Sequence, residues 1–121
     1  LQSELASRFI LVERPDYNCM QLKYLYASLD LIVATRLHSS IFALSEGTPA
    51  INISYHGTKS KGTFEWYGME DLVVDIVDVK SDELKSKVDY VINNDALLRN
   101  VIKSKNLSIK SRINDVFSSF K

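Results

Sequence analysis

The run Leu31-Ile32-Val33-Ala34 constrains the fold of this chain more than any other feature. It is too short for a helix and apolar at every position. Both of its alternating faces must therefore be covered, as in a strand of a parallel sheet. Parallel strands cannot be joined by a tight hairpin and need a crossover, most often a helix. The next residues provide one. Leu37, Ile41 and Leu44 recur at helical spacing up to Gly47, a helix-stop signal with Pro49 just beyond it. Ala50-Ile51-Asn52-Ile53 then reads as the next strand, and Leu72-Val73-Val74 as a further one. This order is the pattern of an α/β domain, with helices covering a mostly parallel sheet.

The pattern extends on either side. Leu1, Leu5 and Phe9 form a short amphipathic piece, and Ile10-Leu11-Val12 reads as a brief strand ended by the turn Arg14-Pro15-Asp16. Between Tyr17 and Leu29, the positions Cys19, Leu22, Leu25, Tyr26 and Leu29 mark a helix with one buried stripe, which puts Cys19 in the core. Ser81 suits an N-cap, with Asp82 and Glu83 in the first turn, where the helix dipole favours anions. That helix carries Leu84, Val88, Val91 and Ile92 on one face and breaks at Asn93-Asn94. A last helix shows Leu98, Ile102, Ile109, Ile113, Val116, Phe117 and Phe120 on a single stripe. No repeat or linker divides the chain, so residues 1–121 read as one domain.

Composition then narrows the function classes. A chain of 121 residues with 45% hydrophobic and 25% charged residues is globular in character, which excludes a disordered or low-complexity protein. Lys+Arg 15 against Asp+Glu 15 gives a formal net charge of zero. Zero net charge argues against a protein whose main task is gripping nucleic acid or an acidic membrane. No apolar run approaches the ~20 residues of a transmembrane helix, and Glu4 and Arg8 interrupt the only candidate for a signal peptide. The single cysteine, Cys19, suits a reducing compartment, so a cytoplasmic location is expected. The chain starts at Leu1 in what reads as mid-helix and is expected to be a piece of something longer.

In such sheets ligands bind outside the carboxyl ends of the strands, where the chain turns into a helix. Two such turns stand out: Thr35-Arg36-Leu37-His38-Ser39-Ser40, and Ser54-Tyr55-His56-Gly57-Thr58-Lys59-Ser60-Lys61-Gly62. Each holds one of the two histidines. From Leu31 to Gly62 the charged residues are Arg36, Lys59 and Lys61 against Glu46 alone. With Thr35 as N-cap, Arg36 falls in the first helical turn, beside backbone N–H groups that lack intrahelical partners. A guanidinium fork at a helix N-terminus suits a phosphate or a carboxylate. The residues therefore read as an anion site.

Plainer readings compete with that one. Arg36 could pair with a nearby acid on the surface, His38 could be an ordinary helix-surface residue, and Lys59 and Lys61 could be solvated loop lysines. Phe64, Trp66 and Tyr67 fit packing, a cleft lining or an interface. The acidic stretch from Glu65 to Glu83 has no metal-ligand spacing and reads as a solvated face. No P-loop, GxGxxG or zinc spacing occurs, and no metal site is expected.

The segment TRLHSSIFALSEGTPAINISYHGTKSKG, from Thr35 to Gly62, resembles the polysaccharide pyruvyl transferase family. Members carry an Arg-x-His turn after an apolar strand, a small-residue helix, Gly-x-Pro, a short strand, and a Tyr followed closely by a Lys. Here those elements are Arg36 and His38, the helix through Ala43, Gly47 and Pro49, Ile51 to Ile53, then Tyr55 and Lys59. Trp66-Tyr67-Gly68-Met69 and Val74-Asp75-Ile76 look like the family's continuation, so the resemblance runs from about Asp30 to Ile76.

The resemblance implies a three-layer Rossmann-like domain, similar to the C-terminal half of a GT-B-type enzyme, with an N-terminal domain missing from this chain. It implies a transferase that moves pyruvate from phosphoenolpyruvate onto two sugar hydroxyls as a cyclic ketal, releasing phosphate, in cell-surface polysaccharide biosynthesis. The partners implied are phosphoenolpyruvate as donor substrate and a sugar or glycan acceptor, with no cofactor, and the isolated piece is expected to be inactive. Arg36, Leu37 and His38 match the family's donor-binding motif. His38 is the candidate general acid for the vinyl carbon, and Arg36, Leu37, Ser39, Tyr55, His56 and Lys59 are the expected substrate-binding residues. A helix N-terminus opposes an imidazolium whereas a bound dianion favours one, so the substrate itself must help charge His38. Two alternatives stand beside this reading. A sugar-nucleotide glycosyltransferase half would often place an acid four residues before the Gly of Gly-x-Pro, and here that position is Ala43. A noncatalytic domain binding a glycan or a subunit would make Arg36 and His38 dispensable.

Overall fold

The computed structural model describes residues 4, 6–13, 16–55 and 57–120. Helix α1 (Cys19–Ala27) leads to β1 (Ile32–Ala34), α2 (Leu37–Ser45) and β2 (Ala50–Ser54). Then follow α3 (Lys59–Glu65), a 3-10 turn (Glu70–Leu72), β3 (Val73–Asp75), α4 (Ser81–Asn93) and α5 (Asp95–Ser118). The sheet has the order β1-β2-β3 and is parallel throughout, with Ala34 opposite Asn52 and Ser54 opposite Asp75. The α/β expectation holds in this form: a three-stranded parallel sheet flanked by helices.

Local sequence explains where the elements start and stop. Asn18 caps α1 through a reciprocal pair of bonds at 2.9 Å: its Oδ1 accepts the Gln21 N–H, and Gln21 Oε1 accepts the Asn18 N–H. That box starts the helix at Cys19, and the expected buried stripe is only half buried, at Leu22, Leu25, Tyr26 and Leu29. Cys19 is exposed, not in the core as the spacing suggested. Helix α2 ends where Gly47 takes φ +87°, with the Gly47 N–H on Leu44 O (3.0 Å) and the Thr48 N–H on Ala43 O (2.9 Å). These are the paired bonds of a Schellman stop, which a left-handed glycine permits.

Helix α2 packs on β1 and β2, and α5 packs across α2 and α4. The core they enclose centres on Leu44, Ile51, Phe64, Val91 and Ile102, all fully buried. Three expectations fail here. Ile10-Leu11-Val12 forms no strand; Ile10 and Leu11 are 87% and 80% exposed. A strand needs a ladder partner, and no described residue pairs with this run. Leu72 ends a 3-10 turn instead of opening β3. The stripe of α5 is buried only at Leu98 and Ile102, while Val116, Phe117 and Phe120 are exposed. Geometry accounts for it: 24 helical residues run about 36 Å, whereas the longest strand, with 5 residues, covers about 17 Å. The last turns pass the end of the sheet. Lysine 80, not Ser81, is the N-cap of α4, a one-residue shift at a helix end. Leu1, Leu5, Arg14 and Pro15, named in the sequence patterns, lie outside the described residues.

Candidate functional site

Because the strands are parallel, their carboxyl ends fall on one edge of the sheet: Ala34 of β1, Ser54 of β2 and Asp75 of β3. The turn into α2 and the loop into α3 leave from the adjacent strands β1 and β2 at that edge. The two stretches singled out in the sequence are therefore neighbours in space. Asn52 lies beneath them, fully buried, and its Nδ2 donates to Ala34 O (3.2 Å) and to Ser40 Oγ (3.1 Å).

Helix α2 begins one residue later than the Thr35 cap predicts. Arg36 is still extended (φ −99°, ψ 125°) and is itself the N-cap, with no side-chain cap bond. A guanidinium has no acceptor to offer a backbone N–H. The N–H groups of Leu37 and His38 are thus first-turn donors that the helix leaves without intrahelical acceptors. No acidic residue occupies that first turn.

Two hollows meet at this edge. A cleft of about 180 Å³ is lined by Thr35, Leu37, Ser54, Tyr55, Lys59 and Ser60. Ser54 and Ser60 are almost buried, at 9% and 5% exposure. A wider hollow of about 820 Å³ takes in Leu37, His38 and Lys59 and reaches Trp66 and Tyr67. Leu37 and Lys59 line both. Lys59 is the first residue of α3 and not a loop lysine. Among the described residues, the side chains of Arg36, His38 and Lys59 enter no ion pair and no hydrogen bond; the ion pairs are Lys23–Glu46, Lys87–Glu83 and Arg99–Asp95. The surface acid that would have given Arg36 an ordinary role is absent among them.

The expected residues separate into groups. Leu37, His38, Tyr55 and Lys59 line the hollows, with Tyr55 half exposed. Arg36 is exposed on the same turn but lines neither hollow, and neither does half-buried Ser39, whose N–H bonds Arg36 O at 3.1 Å. His56 lies outside the described residues. Ser54, Ser60 and Asn52 were not anticipated. A signal existed for Asn52, since a polar amide inside an otherwise apolar strand is uncommon.

The aromatic cluster divides too. Phe64 is core, whereas Tyr67 is buried and donates its hydroxyl to Asn106 Oδ1 at 2.7 Å. Burial pushes the Tyr67 phenol above its usual value of 10.0. Trp66 is half exposed at the rim, with the Arg112 guanidinium 4.9 Å from its ring centre. Among the described residues no group of three or more His, Cys, Asp or Glu could hold a metal ion, and no helix is long and apolar enough to cross a membrane.

Residues 4–57 match the polysaccharide pyruvyl transferase family. Over that segment the chain is similar to the family. The match takes in β1, α2 and β2, with Arg36, Leu37, His38, Ser39, Tyr55 and His56, and stops two residues short of Lys59. The resemblance read from the Arg-x-His turn is thus borne out. A relative, the amylovoran biosynthesis protein AmsJ of Erwinia amylovora, is 33% identical over 79 residues, which are 65% of this chain and 19% of that protein. The chain thus spans only a small part of the length of this curated relative. No solved structure matches it.

Proposed function

We propose that this chain is the donor-binding part of a polysaccharide pyruvyl transferase, holding phosphoenolpyruvate at the carboxyl edge of its sheet. The observation that carries this reading is a set of basic side chains without partners among the described residues, His38 and Lys59 lining the adjoining hollows and Arg36 exposed on the same turn, with Arg36 and His38 inside the family-matching segment. Phosphoenolpyruvate carries a phosphate and a carboxylate. The Arg36 fork and the first-turn N–H groups of α2 suit one of these anions, and Lys59 supplies a point charge for the other. The cleft hydroxyls of Thr35, Ser54 and Ser60 are available as further donors.

In the proposed reaction His38 protonates the vinyl CH2 carbon, which becomes a methyl group as positive charge develops on the neighbouring carbon. One sugar hydroxyl attacks that carbon and gives up its proton. The C–O bond to phosphate then breaks, and the second hydroxyl closes the ketal with loss of its own proton. Phosphate leaves, and the three-carbon unit stays on the sugar. The larger hollow beside His38, bounded by Trp66, suits the acceptor side, where an aromatic face can stack against a sugar ring. Similarity to the family and to an amylovoran biosynthesis protein supports a role in polysaccharide biosynthesis, and a two-domain, GT-B-like enzyme working in the cytoplasm is part of the same proposal.

The test is pyruvyl transfer by the full-length protein carrying His38→Ala. Turnover should fall by about two orders of magnitude or more, the usual contribution of a general acid. His38 is exposed, so the thermal midpoint should not move. Near wild-type turnover would remove His38 from the mechanism.

A further inference from the structure

Asn52 is an anomaly on stability grounds alone. It sits in the middle strand between Ile51 and Ile53, fully buried, where an apolar side chain would pack without desolvating an amide. Its Nδ2 is satisfied, but its buried Oδ1 has no hydrogen-bond partner among the described residues. A buried amide with one orphaned oxygen is a net liability in a core. Such a conflict between a residue and its surroundings is most often found where function requires it.

The two bonds that Asn52 makes bracket one segment. Ala34 is the last residue of β1, and Ser40 is a fully buried residue of α2. Everything between them, Thr35 to Ser39, is the turn that carries Arg36 and His38. That turn has no side-chain cap of its own. One amide group on the central strand ties both of its ends to the sheet, at 3.2 and 3.1 Å. Ala34 and Asn52 are also register partners in the parallel ladder, so the tie acts at the shortest available span.

We infer that Asn52 is a positioning residue: its buried side-chain amide braces the Thr35–Ser39 turn from below and so fixes where Arg36 and His38 stand. Ser40 Oγ is the second half of the brace. This inference rests on the proposed donor site for its catalytic consequence, though not for the brace itself. The geometry needs holding, because a displacement of about 1 Å at a reacting group can cost on the order of a hundredfold in rate.

The test uses the full-length protein with Asn52→Leu and, as the milder change, Ser40→Ala. Amide hydrogen exchange is read first, without substrate. Exchange at Ser39, whose N–H bonds Arg36 O, and in the bonded turn of α2 that follows should quicken by about tenfold or more while α4 and α5 keep their protection, the mark of local opening. Unchanged exchange in that turn, or an equal rise throughout the molecule, overturns the brace. If Asn52→Leu fails to fold, Ser40→Ala decides alone by the same criterion. Kinetics then separate positioning from mere loss of folded enzyme. A loosened donor turn should raise KM for phosphoenolpyruvate by roughly threefold or more, whereas a smaller folded fraction lowers apparent kcat and leaves KM alone. An unchanged KM overturns the positioning role. A wild-type protein with no pyruvyl transfer would refute the donor-site reading, and hydrogen exchange would still decide whether the brace exists.

Discussion

Arg36 and Arg99 stand at opposite edges of the same sheet and are used in opposite ways. Arg99, on α5, bonds Asp95 Oδ1 through Nε at 2.8 Å and the carbonyls of Leu29 and Asp30 through Nη2 at 3.0 and 3.2 Å. Those carbonyls precede β1, so Arg99 closes the amino edge. Asn106 and Thr48 serve the same side of the economy, with Asn106 Nδ2 on Leu44 O and Thr48 Oγ1 on Tyr26 O, both at 2.8 Å. At the carboxyl edge the Arg36 guanidinium bonds no described residue, and the first turn of α2 has no side-chain cap. A fold gains stability by satisfying polar groups and gains a binding site by leaving some of them open. Here the polar groups are satisfied at the amino edge and left open at the carboxyl edge, where the donor site is proposed.

The comparison breaks most readily from within the core beneath α5. Ile102→Ala removes a fully buried side chain one turn beyond Arg99. It should cost about 2–5 kcal/mol in urea unfolding. A loss below ~1 kcal/mol would mean that α5 is not what holds the closed edge. Next in size is the mirrored pair of arginines. Arg99→Ala should destabilise by about 1–3 kcal/mol, because it strips charged donors from partly buried carbonyls, and should leave phosphoenolpyruvate binding unchanged. Arg36→Ala should do the reverse. Stability should stay within ~0.5 kcal/mol, since the side chain is exposed and unbonded, while donor affinity falls by about tenfold or more. Arg36→Lys should not restore it, because a point charge cannot reproduce a two-pronged fork. Calorimetric titration of the full-length variants reads binding, and urea unfolding reads stability. Equal stability losses from Arg36→Ala and Arg99→Ala would erase the distinction between the edges.

The same contrast governs what could be read in advance. The strands, α2 and its stop at Gly47 were legible because a continuous apolar run and a glycine each admit few conformations. The turns carrying Arg36, His38, Tyr55 and Lys59 were legible because a parallel sheet fixes where its ligands approach. Relationships between distant residues were not. Neither the exposure of Cys19 nor the solvation of Val116, Phe117 and Phe120 follows from helical spacing, which says which side chains share a face but not what covers it. Asn52 was hidden for a similar reason. Its meaning lies in bonds to residues 18 and 12 positions away, and only the folded chain brings these together.

The smallest expected effect comes from Tyr67, which lies between the two edges. It lines the larger hollow, yet its hydroxyl belongs to the closed side through Asn106, which in turn donates to Leu44 O on α2. Tyr67→Phe keeps the ring and removes one donor, so it should cost about 1 kcal/mol at neutral pH. The pH dependence has a definite sign. Burial raises the phenol above 10.0 in the folded protein, so folding favours the protonated form. The contribution of Tyr67 is complete below the unfolded value and is lost as pH rises through the raised folded one. Urea unfolding from neutral pH to about 11 should therefore show an alkaline decline that is shallower in Tyr67→Phe. Identical declines in the two proteins would assign the alkaline limb to other groups and leave Tyr67 as a packing residue of the hollow.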